Sequence, residues 1–178
     1  MGLRNRRLLT EERCFFITTA CYQHLPLLTD ATCFGILFDS FQFYNERYQA
    51  KLLAYVLMTN HIHFIIYFDE QTRLMEYMRD VKKFTSLKLR EHIEMTKPDQ
   101  LWCIEHENRT QRFKIWEDRY DDVYLYSRSV CETKVDYIHN NPVRAGLVTN
   151  PSDYPYSSAA FYEGKRERSQ LMHYRDVF

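Results

Sequence analysis

Glycine is scarce in this chain, with four residues in 178. No glycine-rich loop of the kind that cradles nucleotide phosphates is present, so an ATP-driven chemistry is set aside. Cysteine is also sparse: Cys14, Cys21, Cys33, Cys103 and Cys131 make an odd set of five without a Cys-x-x-Cys pair. That pattern builds neither a disulfide scaffold nor a thiolate zinc site, and a reducing cytoplasm is the simplest setting. Long apolar runs are missing. The most apolar stretch, around Phe64–Phe68, is far short of the roughly 20 residues of a membrane helix. The apolar residues of the N-terminus are broken by Thr10, Glu11, Glu12 and Arg13, which removes a signal-peptide core. Net charge is missing too, with 24 basic against 24 acidic side chains, and taken alone this weighs against a nucleic-acid binder.

What is present describes one globular domain spanning 1–178, with a basic arm at 1–12 and a tail at 163–178. The hydrophobic share is 45% and the charged share 27%, ordinary values for a packed domain of this length. Aromatics exceed what a minimal core needs, at 14 Tyr and 12 Phe. Some of them suit a surface that meets flat partners such as bases; for any one of them, core packing is the plainer role. The charges are segregated. Arg4, Arg6 and Arg7 crowd the N-terminus, and Arg79, Lys82, Lys83, Lys88 and Arg90 share a stretch containing one acid, Asp80. Glu117, Asp118, Asp121 and Asp122 supply the balance. A neutral protein arranged this way can still present one basic face.

The periodicities predict a strand at Cys14–Cys21 and a helix capped by Thr29 or Asp30 that runs to about Tyr48. Phe34, Leu37, Phe38, Phe41 and Tyr44 form its apolar stripe. Strands at Leu52–Met58 and His61–Phe68 are close enough to pair across Thr59-Asn60, although that dipeptide is a weak turn signal. A second helix follows from about Thr72 to His92, with Leu74, Met78, Val81, Thr85 and Leu89 on one face. Gln111–Trp116 and Val123–Tyr126 read as extended. Ser127 or Ser129 caps a third helix that reaches Asn140, where Pro142 breaks it and Gly146 closes the next turn. This order predicts an α+β domain: a ferredoxin-like antiparallel sheet with helices packed on it.

Two groups of residues can carry chemistry. His61 and His63 are two apart on a strand, so both imidazoles face one side and are spaced to ligate one divalent cation, while Ile62 turns into the core. Tyr137 and Asn141 are four apart on a helix and share a face. There the phenol can serve as a nucleophile and the amide oxygen as a third metal ligand. Plainer roles stand beside these: a structural His pair, one tyrosine among 14, and a helix cap at Asn141 before Pro142. Spacing alone does not choose between them.

Longer segments do. Tyr55–Ile66 (YVLMTNHIHFII) resembles the strand that carries the His-hydrophobic-His motif of single-tyrosine HUH transposases. Tyr137–Val148 (YIHNNPVRAGLV), followed by Asp153–Ser158 (DYPYSS), is similar to the nucleophile helix and loop of the REP-associated tyrosine transposases within the IS200-like superfamily. Val81–Ser86 (VKKFTS) resembles that group's basic helix. The likeness covers most of residues 13–162 in the same order. Two departures are visible. Thr59-Asn60 stands where the family often has Pro-Asn or Pro-Glu, and Trp116-Glu117-Asp118 replaces a Trp-Gln pair followed by a His or an acid. Asp122 is therefore an auxiliary-acid candidate, with a solvated turn charge as the plainer role.

The resemblance implies a metal-dependent transposase that nicks single-stranded DNA with Tyr137, leaving a 5′-phosphotyrosine and a free 3′-OH. It implies Mg²⁺ or Mn²⁺ held by His61, His63 and Asn141. It further implies a partner in hairpins of repetitive DNA elements, no membrane association, and either a monomer or a homodimer. Lys82, Lys83 and Lys88, with Arg4, Arg6 and Arg7 as an arm, are the phosphate-contact candidates. The main rival is a domesticated relative that binds hairpins without cutting. A phosphohydrolase would use the His pair with water and leave Tyr137 dispensable, and a purely structural protein would show no metal-dependent effect on DNA.

Overall fold

Four antiparallel strands, β1 (Cys14–Ala20), β2 (Ala50–Leu57), β3 (His61–Phe68) and β6 (Asp121–Tyr124), form a sheet in the order β2-β3-β1-β6. This computed structural model describes residues 12–70, 72–108, 111–167 and 171–178. Helix α1 (Ala31–Tyr48) connects β1 to β2, and α2 (Leu74–Thr96) leads from β3 toward β6. That is the ferredoxin-like order predicted from the sequence. A ribbon of β4 (Glu105–Asn108) and β5 (Gln111–Phe113) lies between α2 and β6; then come α3 (Arg128–His139), α4 (Asn141–Arg144) and α5 (Ala159–Tyr162).

The pleat divides the core. Phe15 and Ile17 of β1, with Ile62, Phe64 and Ile66 of β3, pack under α1 and α2 through Phe34, Leu37, Phe41, Met78, Val81 and Leu89. Their neighbours Phe16 and Ile65 point the other way, toward Leu125, Cys131, Val135 and Ile138 around α3. Alternation along a strand requires this split, because successive side chains leave on opposite faces. Asp30 caps α1 by accepting from Cys33 N at 3.0 Å, and Ser127 caps α3 by accepting from Val130 N at 3.4 Å. Gly146 has φ +70°, the left-handed turn that a residue without Cβ adopts freely.

The Thr59-Asn60 turn has no positive φ at either residue, so it is not one of the primed turns that suit a two-residue hairpin. Outside partners hold it instead. Leu28 N donates to Thr59 O at 2.9 Å and Cys21 N to Asn60 O at 2.8 Å.

Some features depart from the sequence reading. Helix α2 continues to Thr96, and β6 begins two residues earlier than Val123. Residues 154–158 are loop, as predicted, and pass along the outer edge of β2, where Leu57 N donates to Tyr156 O at 2.9 Å and Ser158 N to Tyr55 O at 3.0 Å. Part of the predicted tail docks as well. Met172 N donates to Leu52 O at 3.0 Å, and buried Tyr174 donates through its hydroxyl to Glu132 at 2.9 Å.

Candidate active site

His61 and His63 emerge on the α3 side of β3, opposite Ala20 and Thr18 of β1, while Ile62 is buried under α1 and α2. Their ring centroids are 4.8 Å apart. His63 is only 5% exposed and stacks on Phe16 at 5.6 Å. Its Nδ1 lies 2.8 Å from Thr18 Oγ1. His61 Nδ1 lies 2.7 Å from Asn60 Oδ1, an acceptor, so Nδ1 carries the proton and Nε2 keeps the lone pair. A ring whose second nitrogen is held by a neighbouring oxygen is oriented for metal ligation. Burial lowers the pKa of His61, and the Asn141 side chain hydrogen-bonds the same ring and partly opposes that shift. His63 is pushed down to about 3 by burial first and then by the positive charges of His61, Arg144 and Lys134. Both imidazoles are thus neutral near pH 7, the form that coordinates a cation.

Helix α3 lays Tyr137 over this pair. Val135 and Ile138 anchor the helix in the core, which leaves the Tyr137 ring 38% exposed. It meets the His63 ring edge-to-face at 5.3 Å and the Phe16 ring at 5.8 Å. Pro142, in the first turn of α4, turns the chain so that Arg144 folds back. Its guanidinium lies 4.3 Å from the centre of the Tyr137 ring and donates to Tyr137 O at 2.8 Å. Lys134, one turn before the tyrosine, holds Nζ 4.7 Å from the Phe16 ring centre and 5.6 Å from that of Tyr137. Two residues beyond Tyr137, buried His139 points inward, with Nε2 2.8 Å from Ser158 Oγ. Ser158 Oγ in turn accepts from Tyr55 N at 3.0 Å. This clasp fastens α3 to β2.

The model of IS200-like transposases matches residues 17–141, from the strand that braces His63 to the amide that touches His61. The chain belongs to this family. Its fold is similar to that of a REP-associated tyrosine transposase solved bound to a REP hairpin. The TM-score is 0.68 at 20% identity, over 97% of this chain and 98% of that one. A Deinococcus radiodurans R1 structure described as a transposase aligns at TM-score 0.48 and 14% identity over 78% of this chain and 97% of that one; it is too distant to carry an argument. No curated protein matches the sequence.

Not every residue expected at the site of this IS200-like family member is there. Asp122 pairs with Ile17 and so points to the α1–α2 side, away from the histidines, where it is 2% exposed. Its neighbour Asp121 pairs with Thr18, which also pairs with His63. Asp121 is therefore the acid that shares the histidine face. The difference is one residue of register, which inverts every side chain.

The lysines of α2 also lie across the sheet from Tyr137. Lys82 donates to Glu117 O at 2.6 Å and Asp118 O at 3.3 Å. Burial lowers its pKa to about 8, against the pull of Asp118. These bonds staple the Glu117–Asp118 loop to α2. Lys88 pairs with Glu91 at 2.9 Å. Lys83 is exposed beside Lys82 and Lys114, on the same far side. Arg4, Arg6 and Arg7 lie outside the described residues.

Lys134 and Arg144 were missed. The sequence signals were available: Lys134 precedes Tyr137 by one helical turn, and Arg144 stands inside the YIHNNPVRAGLV segment. A second group, Asp30, Cys33 and His92, has ligand atoms within 4.8 Å of one another and can hold a metal ion by geometry. Its existing bonds describe a helix cap and an interhelical tie: Asp30 accepts from Cys33 N, lies 3.0 Å from His92 Nε2, and has the Lys97 ammonium at 3.8 Å. That ammonium opposes a cation there. Among the described residues, no helix is long and apolar enough to cross a membrane.

Proposed function

We propose that this chain cuts and rejoins single-stranded DNA with Tyr137 as nucleophile, at sites flanked by hairpins of repetitive elements. The observation that carries this reading is the convergence of Tyr137 and Asn141, from α3 and α4, on His61 and His63 of β3. Family membership supports a transposase activity. The hairpin is proposed from the sequence likeness and from the ligand of the REP-associated structure whose fold is similar.

Two neutral imidazoles and an amide oxygen fit a divalent ion and leave coordination positions for phosphate oxygens, and the family likeness favours Mg²⁺ or Mn²⁺ among the candidates. Such an ion would polarise the scissile phosphate and stabilise the charge that builds on it. The protein's own part is positioning. Thr18 and Asn60 hold the imidazoles in their ligating orientation, and the His139–Ser158 clasp holds the helix that presents the phenol. Tyr137 Oη attacks phosphorus, the bond from phosphorus to the 3′ oxygen breaks, and that oxygen leaves as a 3′-OH after taking up a proton, while the phenol has lost one. The product is a 5′-phosphotyrosine. It retains the energy of the broken diester, so the 3′-OH of another strand can reverse the step without ATP.

The test is an assay on labelled hairpins from the gene's own flanks with Mn²⁺ or Mg²⁺, comparing wild type with Tyr137→Phe. A denaturation-resistant protein–DNA adduct that is lost in the variant is the expected result. Cutting that survives Tyr137→Phe would replace the tyrosine by an activated water. Tight binding without cutting would instead identify a hairpin-binding relative that no longer cleaves.

A further inference from the structure

We propose that Lys134 and Arg144 form a clamp for the scissile phosphate, gripping its non-bridging oxygens as Tyr137 attacks; this rests on the nucleophile assignment above. The two cations come from either side of the tyrosine in sequence, one a helical turn before it on α3 and one at the end of α4. Both nevertheless converge on its ring, at 5.6 Å for Lys134 Nζ and 4.3 Å for the Arg144 guanidinium.

Among the described residues, neither has a carboxylate within ion-pair distance, although the exposed Arg128, Arg112 and Lys165 elsewhere all do. The Arg144 side chain makes one hydrogen bond, to Tyr137 O. A guanidinium carries five N–H donors in a planar fork that matches two phosphate oxygens. Lys134 Nζ lies over aromatic faces, which attract a cation but leave its N–H donors available.

Two like charges gathered around one phenol, beside a histidine that they help to keep neutral, repel each other unless an anion sits between them. In-line attack requires phosphorus within about 3–3.5 Å of the nucleophilic oxygen. The non-bridging oxygens of that phosphate then fall within reach of both side chains. Donors aimed at the oxygens of a reacting group, on a site held rigid beforehand, contribute most where charge grows. The α2 lysines, across the sheet, have no access to this phosphate.

The experiment compares adduct formation by wild type, Lys134→Gln, Arg144→Gln and Arg144→Lys. Two hairpin substrates are used, one natural and one with a neutral methylphosphonate at the scissile position. On natural DNA each glutamine variant is expected to react about 100-fold more slowly, with hairpin affinity changed less than about tenfold. Arg144→Lys should recover part of that loss because it keeps the charge. On the methylphosphonate the variants should lose little further relative to wild type, since the charge they would grip is already gone. A purely structural role predicts the opposite, the same slowing on both substrates, and that result would overturn the clamp. So would glutamine variants that cut natural DNA at the wild-type rate. Wild type that forms no adduct, with Tyr137→Phe indistinguishable from it, would overturn the tyrosine mechanism and the clamp together. A failure of the clamp alone leaves wild-type cutting and its dependence on Tyr137 intact.

Discussion

Thr18 touches no part of the proposed substrate, yet its hydroxyl decides which nitrogen of His63 faces the site. Supporting hydrogen bonds of this kind change metal affinity about 10–100-fold when removed. Thr18→Val, which keeps the shape and drops the hydroxyl, is expected to raise the Mn²⁺ concentration for half-maximal cleavage by about tenfold, with the maximal rate less affected. A metal titration of the cleavage rate checks this, and an unchanged half-point would remove Thr18 from the site. Asp30 makes a prediction of a different kind. Burial would raise its pKa, but bonds from His92 and Cys33 outweigh that and bring it from 3.8 down to about 2. A carboxylate with a depressed folded-state pKa stabilises the fold above its unfolded pKa, and that contribution is lost as the pH falls through the folded one. Asn caps helices about as well as Asp, so Asp30→Asn isolates the charge. The urea midpoints of wild type and variant should differ at pH 6 and converge near pH 2; a gap that stays constant with pH would deny the carboxylate this role.

At the scale of elements, the nucleophile helix is held by packing and by one buried polar clasp. His139 is kept neutral, its pKa pushed down to about 4 by burial, and its partner Ser158 also binds the β2 backbone. Ser158→Ala strands His139 Nε2 and Tyr55 N, and leaving a buried polar group unsatisfied costs about 1–3 kcal/mol. Chemical unfolding should show a loss of that size. Adduct formation should slow while hairpin binding persists, because the change loosens the presentation of Tyr137. Equal stability in the two proteins would mean that packing alone holds α3. The sign of the pH effect follows from the same burial. A histidine whose folded pKa lies below its unfolded value near 6.5 favours the unfolded chain as pH falls, since that state takes up the proton. Wild-type stability should therefore decline from about pH 6.5 toward pH 4, and His139→Gln should flatten part of that slope. The strands, α1 and α3 were legible because their caps and apolar periods agree with their tertiary setting. The β4 strand and the docking of the 154–158 loop on β2 were not, because pairing with neighbours rather than local pattern sets them.

For the molecule as a whole, the sheet separates two populations of basic side chains. The alternation of His61, Ile62 and His63 revealed that the two rings share a face, and the YIHNNPVRAGLV segment brought Tyr137 and Asn141 to them. Sequence periodicity shows which side of a helix meets water, but not which layer the helix joins. Periodicity therefore offered the lysines of α2 without showing that α2 lies on the layer away from Tyr137, and it did not separate Asp122 from Asp121, because register is set by pairing across the sheet. Lys82→Met should lower the thermal midpoint by releasing the loop at Glu117 and Asp118. The salt dependence of hairpin binding should stay as in wild type, whereas a lost phosphate contact would reduce the slope of log affinity against log salt by about 0.7.

The run of residues 154–158, with Met172 beyond it, also bears on how copies of the protein behave toward one another. Strand β2 is apolar on both faces, and an uncovered edge of that kind is a template for strands of other molecules. The hydrogen bonds from Leu57 to Tyr156 and from Ser158 to Tyr55 close that edge within the chain. A version shortened to residue 150 would keep Tyr137, both histidines, Asn141, Lys134 and Arg144. It would also expose the rim of the sheet, so that, beside the slower adduct formation expected from losing Ser158, its distinguishing symptom in solution would be self-association.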